Sequence, residues 1–275
     1  MNAGGNSLSI SQSTVGFIGV GNMGEALLVG LLKAGANPAN ISFAVRRESR
    51  SAEISERYGI TPRSLTEMAA ECDVLLIIVK PQDLTTVTEI IAPVRKANSL
   101  VISFLAGKKS STIADLLGGD CAVIRVMPNT PTMLGVGMSG LSAGSQVTPN
   151  QLEYAHQFLN ACGKVVDVDE ELQDALAATS GSGPAYFFAF VEAMINGAQE
   201  LGLSEEIATT LTVQTILGAA RMLDESGKSA ATLRENVTSP KGMTFEGLRT
   251  FSEGNLGDLV ARAMRAARDR SRELA

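Results

Sequence analysis

The residues best placed to do chemistry come early in the chain. Gly19-Val20-Gly21-Asn22-Met23-Gly24 has the spacing G-x-G-x-x-G, directly after the apolar run 15–18 and at the start of a helical pattern over 24–33. In that setting the first glycine permits a tight turn, the second lets the backbone approach a pyrophosphate, and the third lets helix and strand pack closely. The N–H groups at the helix start, among Asn22, Met23 and Gly24, then face the phosphates. At the end of the second strand, where NAD sites usually carry an acidic residue for the ribose 2′-hydroxyl, this sequence has Arg46-Arg47, with Ser49 and Arg50 close behind. A guanidinium suits a 2′-phosphate and offers a hydroxyl no acceptor, so the expected preference is NADPH, with NADH possible.

What the chain lacks narrows the chemistry further. It has one histidine in 275 residues, which removes histidine zinc clusters and two-histidine metal helices. A Ser-His-Asp or Cys-His device would have to run through His156, which falls in a half-polar helical stretch and reads as an exposed surface residue. Cys72, Cys121 and Cys162 are far apart and odd in number, so free thiols in a reducing cytoplasm are expected. A net charge of −6 argues against a nucleic-acid partner. The most apolar helix candidate, 185–198, is interrupted by Glu192 and Asn196 and is too short to span a bilayer.

The elements that must position these residues alternate. Apolar runs at 15–18, 41–45, 73–79, 100–104 and 122–126 are separated by helical patterns at 24–33, 83–94 and 111–117. Segments 137–142 and 164–168 add edge strands around a helix over 149–161. This is the pattern of a doubly wound, mostly parallel sheet. Beyond about residue 169 no strand-like run remains. Helix 184–201 is apolar nearly all round, and the next, capped by Ser204, carries Ile207, Leu211, Leu217 and Ala220 along an inner face. Two such segments make a thin core for about a hundred residues, so burial against a second copy is expected. The predicted class is α/β: a disordered leader over 1–13, an N-terminal Rossmann-type NADP(H)-binding domain over 14–169, and an all-helical substrate-binding and dimerisation domain over 170–275. The last helix, 255–274, is arginine-rich and reads as a solvated face.

Five further segments are distinctive: Val79-Lys80-Pro81-Gln82, Ser103-Phe104-Leu105-Ala106-Gly107, Val126-Met127-Pro128-Asn129-Thr130-Pro131, Ser180-Gly181-Ser182-Gly183-Pro184-Ala185-Tyr186 and Val237-Thr238-Ser239-Pro240-Lys241-Gly242-Met243-Thr244. With the glycine motif, and in this order, they resemble pyrroline-5-carboxylate reductase over residues 15–274. The resemblance implies reduction of 1-pyrroline-5-carboxylate to L-proline by a nicotinamide cofactor, and a homodimer that in some family members is part of a larger ring. It implies that Val79, Lys80 and Pro81 line the cofactor, that Ala106 and Asn129 lie near the nicotinamide, and that Ser239 to Thr244 hold the substrate. Lys80 reads equally well as a solvated cation at a strand end.

A small cyclic imine with a carboxylate needs several N–H donors rather than a deep pocket. Gly242, Met243 and Thr244, just before an expected helix over 245–251, supply them, and Ser239 and Thr244 add hydroxyls. Thr244 is the expected catalytic residue, bonding the ring nitrogen and relaying a proton from water. An ordinary Ser/Thr helix cap is the plainer reading of the same residues. Lys241 stands where the family usually has glycine. If that position needs a positive φ, lysine costs on the order of 1 kcal/mol; alternatively its ammonium attracts the substrate carboxylate. Two other readings remain open: a hydroxyacid-dehydrogenase-like oxidoreductase, disfavoured because 179–186 lacks a lysine, and a non-catalytic NADP(H)-binding protein, disfavoured by the Ser239–Thr244 segment.

Overall fold

Short aliphatic runs build the sheet. The computed structural model describes residues 7–273. Its strands are β1 (Val15–Ile18), β2 (Ile41–Ala44), β3 (Thr61–Pro62), β4 (Val74–Ile77), β5 (Leu100–Ser103), β6 (Ala122–Met127), β7 (Gly137–Ala143) and β8 (Gly163–Asp167). They form one sheet in the order β3-β2-β1-β4-β5-β6-β7-β8, parallel everywhere except between β6 and β7. The first six places follow the Rossmann order, with its switch point between β1 and β4. Every residue of β1, β4 and β5 is buried, as strands covered on both faces must be.

Helices α1 (Asn22–Lys33), α2 (Glu48–Tyr58), α3 (Leu65–Glu71), α4 (Leu84–Ile91), α5 (Ser110–Leu116) and α6 (Pro149–Asn160) cover the sheet. Alternation along the strands sorts the core into two layers. Phe17, Leu76 and Ile102 pack with Leu27, Leu28 and Leu31 of α1, Ile54 of α2 and Phe158 of α6. Ile18, Leu75 and Val101 pack with Met68 of α3, Ile91 of α4 and Ile113 of α5. Segment 48–71, which the hydrophobic pattern leaves unassigned, holds α2, β3 and α3. Helix α2 buries only Ile54, so its apolar signal is one residue, whereas α3 opens on a capping box between Ser64 and Glu67.

Several expectations change. Residues 1–6 of the expected leader lie outside the described residues, but 7–13 are fixed in place. Ile10 is buried in the sheet core, and the Leu8 N–H donates to Asn150 Oδ1 at 2.7 Å. Two apolar residues in a polar stretch suffice to tie it down. His156 is half-buried rather than exposed, with Nε2 3.0 Å from Asp167. Cys72, Cys121 and Cys162 are free and buried, and burial pushes the Cys162 thiol up to about 11.

The described residues divide into two compact units, 7–182 with 267–273, and 183–266. The first unit runs on to Ser182 because the connecting segment stays tied to the sheet. Glu170 accepts the Ser110 N–H at 2.6 Å and its hydroxyl at 2.7 Å. In α7 (Gln173–Leu176), buried Gln173 donates to Gly140 O and Ser142 Oγ, and Asp174 accepts the Ser271 hydroxyl from the end of the chain at 2.9 Å. The second unit holds α8 (Gly183–Glu200), α9 (Glu205–Glu225), α10 (Ala230–Asn236), α11 (Met243–Glu253) and the start of α12 (Leu256–Glu273). Phe190 of α8 packs on Phe251 of α11 with ring centroids 6.2 Å apart. The expected inner face of α9 is not buried in the single chain: Ile207, Leu211 and Leu217 are each about half exposed, and Ala208 and Thr212 are the buried residues. On α8, Phe187 and Phe188 are exposed too. Among the described residues no helix is long and apolar enough to cross a membrane.

Helix α1 comes close to the residue before β8 at Gly30, where an added Cβ would lie 2.0 Å from Cys162 Sγ. Gly30→Ala is expected to destabilise the protein by about 1–3 kcal/mol in urea unfolding. The double variant with Cys162→Ala should lose clearly less than the sum of the two singles. Additive losses would contradict the contact.

Candidate active site

The parallel strands β1, β2, β4, β5 and β6 bring their carboxyl ends to one edge, and the first group of expected residues collects there. Gly19 follows β1 with φ +98°, and a Cβ on it would lie 2.8 Å from the Ile78 carbonyl and 3.3 Å from the Val79 side chain. A Cβ on Gly24 would lie 2.6 Å from the Gly19 carbonyl, so helix α1 leaves the strand as closely as backbone allows. Gly21 differs from both: a Cβ there meets nothing within 4 Å. Protein packing does not demand glycine at 21, but an approaching ligand would. Gly21 is also the N-cap of α1, and no side chain caps that helix. An open glycine and an uncapped helix start fit a dinucleotide pyrophosphate.

Arg46 and Arg47 follow β2. Both are exposed, and Arg47 is the N-cap of α2, again without a side-chain cap. Arg46 lies 3.4 Å from Asp83, which joins the end of β2 to the turn Pro81–Asp83 that begins just after Lys80. Lys80 is exposed and Val79 half-buried at the end of β4. Ala106 is exposed in the turn after β5. Asn129, after β6, has its side chain engaged: Nδ2 donates to the Ser180 carbonyl at 3.1 Å, and Oδ1 accepts the Met138 N–H at 2.8 Å. Residues 177–181 wind as a π-turn, which leaves carbonyls needing partners, and Asn129 supplies one. The sequence marks both segments as distinctive but carries no signal that they bond.

The second group lies in the second unit. Helix α11 starts at Met243 rather than 245, with Gly242 as its N-cap and no side-chain cap. Met243 and Thr244 are therefore inside its first turn, where their N–H groups are the donors a carboxylate needs. Lys241 has φ +59°, the left-handed conformation that favours glycine. The turn closes through Gly242 N–H to Ser239 O at 3.0 Å, and a Cβ on Gly242 would lie 2.3 Å from Ser239 Oγ. Glycine at 242 therefore keeps the Ser239 hydroxyl beside the helix start.

The sheet order and glycine turn define a Rossmann-type dinucleotide-binding protein joined to a helical unit. Residues 14–107 match the family described as NADP oxidoreductase, coenzyme F420-dependent, and residues 170–274 match pyrroline-5-carboxylate reductase dimerisation. The chain is 41% identical over 268 residues to the pyrroline-5-carboxylate reductase of Pseudomonas aeruginosa, covering 97% of this chain and 98% of that one. Among solved structures it is similar to a pyrroline-5-carboxylate reductase from Coxiella burnetii, with TM-score 0.91, 36% identity, and coverage of 96% and 99% of the two chains. It is also similar to the Plasmodium falciparum pyrroline carboxylate reductase with NADP bound, with TM-score 0.85, 28% identity, and coverage of 97% and 99%. The chain belongs to the pyrroline-5-carboxylate reductase family.

Because Lys241 holds a left-handed conformation at an exposed position, Lys241→Gly should raise stability by about 1 kcal/mol in chemical denaturation. A loss of stability would contradict the strain.

Proposed function

We propose that this chain reduces 1-pyrroline-5-carboxylate to L-proline, the final step of proline biosynthesis, with NADPH as preferred cofactor and NADH as a second. The observation that carries this reading is identity of 41% along 97% of the chain to a relative of that name. The uncapped glycine turn at the sheet edge supports it locally.

A bound nicotinamide supplies the hydride that forms the new C–H bond at the imine carbon, while the ring nitrogen takes up a proton. The chain's own residues bind and orient. The first-turn N–H groups of α1, among Asn22, Met23 and Gly24, hold the pyrophosphate, with Gly19 and Gly21 giving the backbone its approach. Arg46 and Arg47 take the 2′-phosphate. Val79, Lys80 and Pro81 would line the cofactor, and Ala106 and Asn129 would lie near the nicotinamide, with the Asn129 side chain fixed by Met138 and Ser180. The N–H groups of Met243 and Thr244 and the Ser239 hydroxyl hold the substrate carboxylate; the N–H of Gly242, expected as a third donor, is instead committed to the Ser239 carbonyl, so Gly242 serves by keeping that hydroxyl at the helix start, and the Lys241 ammonium adds attraction. Thr244 hydrogen-bonds the ring nitrogen and relays a proton to it from water. A protonated imine is already electrophilic, so positioning and electrostatics carry most of the rate.

The exposed apolar faces of α8 and α9, in a region matching the family's dimerisation segment, are buried in a homodimer. Three unpaired buried thiols fit a reducing compartment, and the cytoplasm is the proposed location.

Mixing the purified protein with the imine and reduced cofactor, and following cofactor oxidation with proline formation, tests the reading. Cofactor binding without proline would indicate a binding protein, and turnover of hydroxyacids instead would indicate a dehydrogenase. Replacing Arg46 and Arg47 by alanine should weaken NADPH binding about tenfold or more and leave NADH nearly unchanged. Equal catalytic efficiency of the wild type with both cofactors would sink the phosphate assignment. Thr244→Ala should lower kcat/KM for the imine about a hundredfold with NADPH affinity intact. Unchanged turnover would refute its role.

A further inference from the structure

One half-buried cation grips the glycine turn from the protein side. Arg50, in the first turn of α2, donates from Nε to the Val20 carbonyl at 3.1 Å and from Nη2 to Glu25 at 2.5 Å, and its Nη1 lies 2.8 Å from Glu53. Its side chain is 15% exposed, against 79% for Arg46. Val20 is the residue between Gly19 and Gly21 and is buried. Glu25, in the first turn of α1, also accepts the Tyr58 hydroxyl at 2.6 Å and Arg57 at 2.6 Å. One guanidinium thus joins the carbonyl of the turn to the helix that follows it.

The peptide plane makes this consequential. In a trans peptide the carbonyl of one residue and the N–H of the next point to opposite sides. Holding the Val20 carbonyl on Arg50 therefore turns the Gly21 N–H away from Arg50. Gly21 is the position of the turn where an added Cβ would meet no protein atom. Arg50 is also electrically spent, since Glu25 and Glu53 both face it. Burial pushes the Glu25 carboxyl up, but hydrogen bonds from Tyr58, Arg50 and Arg57 outweigh burial and hold it below the usual carboxylate range. It stays ionised against Arg50 at neutral pH.

We propose that Arg50 is a positioning residue for dinucleotide binding: it sets the Val20–Gly21 peptide so that the Gly21 N–H serves the pyrophosphate, and it takes no part in reading the 2′-phosphate. This rests on the cofactor reading above and divides labour within it. Arg46 and Arg47 discriminate between NADPH and NADH, and Arg50 acts equally on both. The forked geometry of arginine is what the role needs, because two nitrogens of one planar group reach two acceptors at fixed spacing.

The test is calorimetric titration of the full-length protein with NADPH and with NADH, for wild type, Arg50→Gln and Arg50→Lys, with Tm measured for each. Arg50→Gln should raise both Kd values by a common factor of about tenfold, leaving their ratio unchanged. Arg50→Lys keeps a charge against Glu25 and should restore most of the Tm. A single ammonium cannot occupy both the Nε and Nη2 positions, so the raised Kd should persist. If Arg50→Gln fails to fold, Arg50→Lys decides alone. Loss confined to NADPH would make Arg50 a phosphate ligand and overturn the proposal. So would Kd values that recover along with Tm in Arg50→Lys, the mark of a purely structural tie, or Kd values that do not move. A wild type that binds both cofactors but forms no proline removes the reductase reading and leaves the Arg50 comparison standing. A wild type that binds neither removes both.

Discussion

The nucleotide edge depends on one close approach: α1 leaves β1 with Gly24 set against the Gly19 carbonyl, where a Cβ would sit 2.6 Å away. That contact requires two glycines, one of them at φ +98°, and it fixes where the first amides of α1 can point. Because β1 pairs with β2 on one side and β4 on the other, the same turn sits at the switch point of the sheet. A side chain at 24 would lift the helix from the strand, and the apolar layer of Leu27, Leu28 and Leu31 beneath it would move as well.

Around this turn the polar groups divide between those the protein consumes and those it leaves open. Arg50, Glu25 and Tyr58 are committed to one another, and Asn129 to the backbone of Met138 and Ser180. Buried Arg125 lies 3.7 Å from Glu170 and 3.8 Å from Asp174, so the connecting segment and the chain's last turns are tied to the sheet by charge as well as packing. By contrast, the starts of α1, α2 and α11 carry no side-chain cap. The starts of α4 and α5 lack a side-chain cap as well, so what sets the α1 start apart is the open Gly21 in front of it.

Much of this was legible in the sequence because its cause is local. The continuous apolar runs at β1, β4 and β5 announce strands buried on both faces, and G-x-G-x-x-G between strand and helix announces the turn. The conformational demand at Lys241 followed conditionally from the family resemblance, and φ +59° meets the condition. What escaped depends on distant partners. Helix α2 buries one residue, so periodicity could not find it, and no local signal tells that its Arg50 binds Glu25 and the Val20 carbonyl. The tie of Ile10 to the core, the engagement of Asn129 with the π-turn and the attachment of 170–182 to the sheet are likewise contacts between segments far apart in sequence.

The central claim is that a hydride passes from a cofactor held at this edge to the carbon of a cyclic imine. Incubating the protein with 1-pyrroline-5-carboxylate and NADPH carrying deuterium at both C4 positions, then weighing the proline by mass spectrometry, tests it directly. Direct transfer predicts proline carrying a single deuterium, at the former imine carbon. Proline without deuterium, or no proline, would contradict the account.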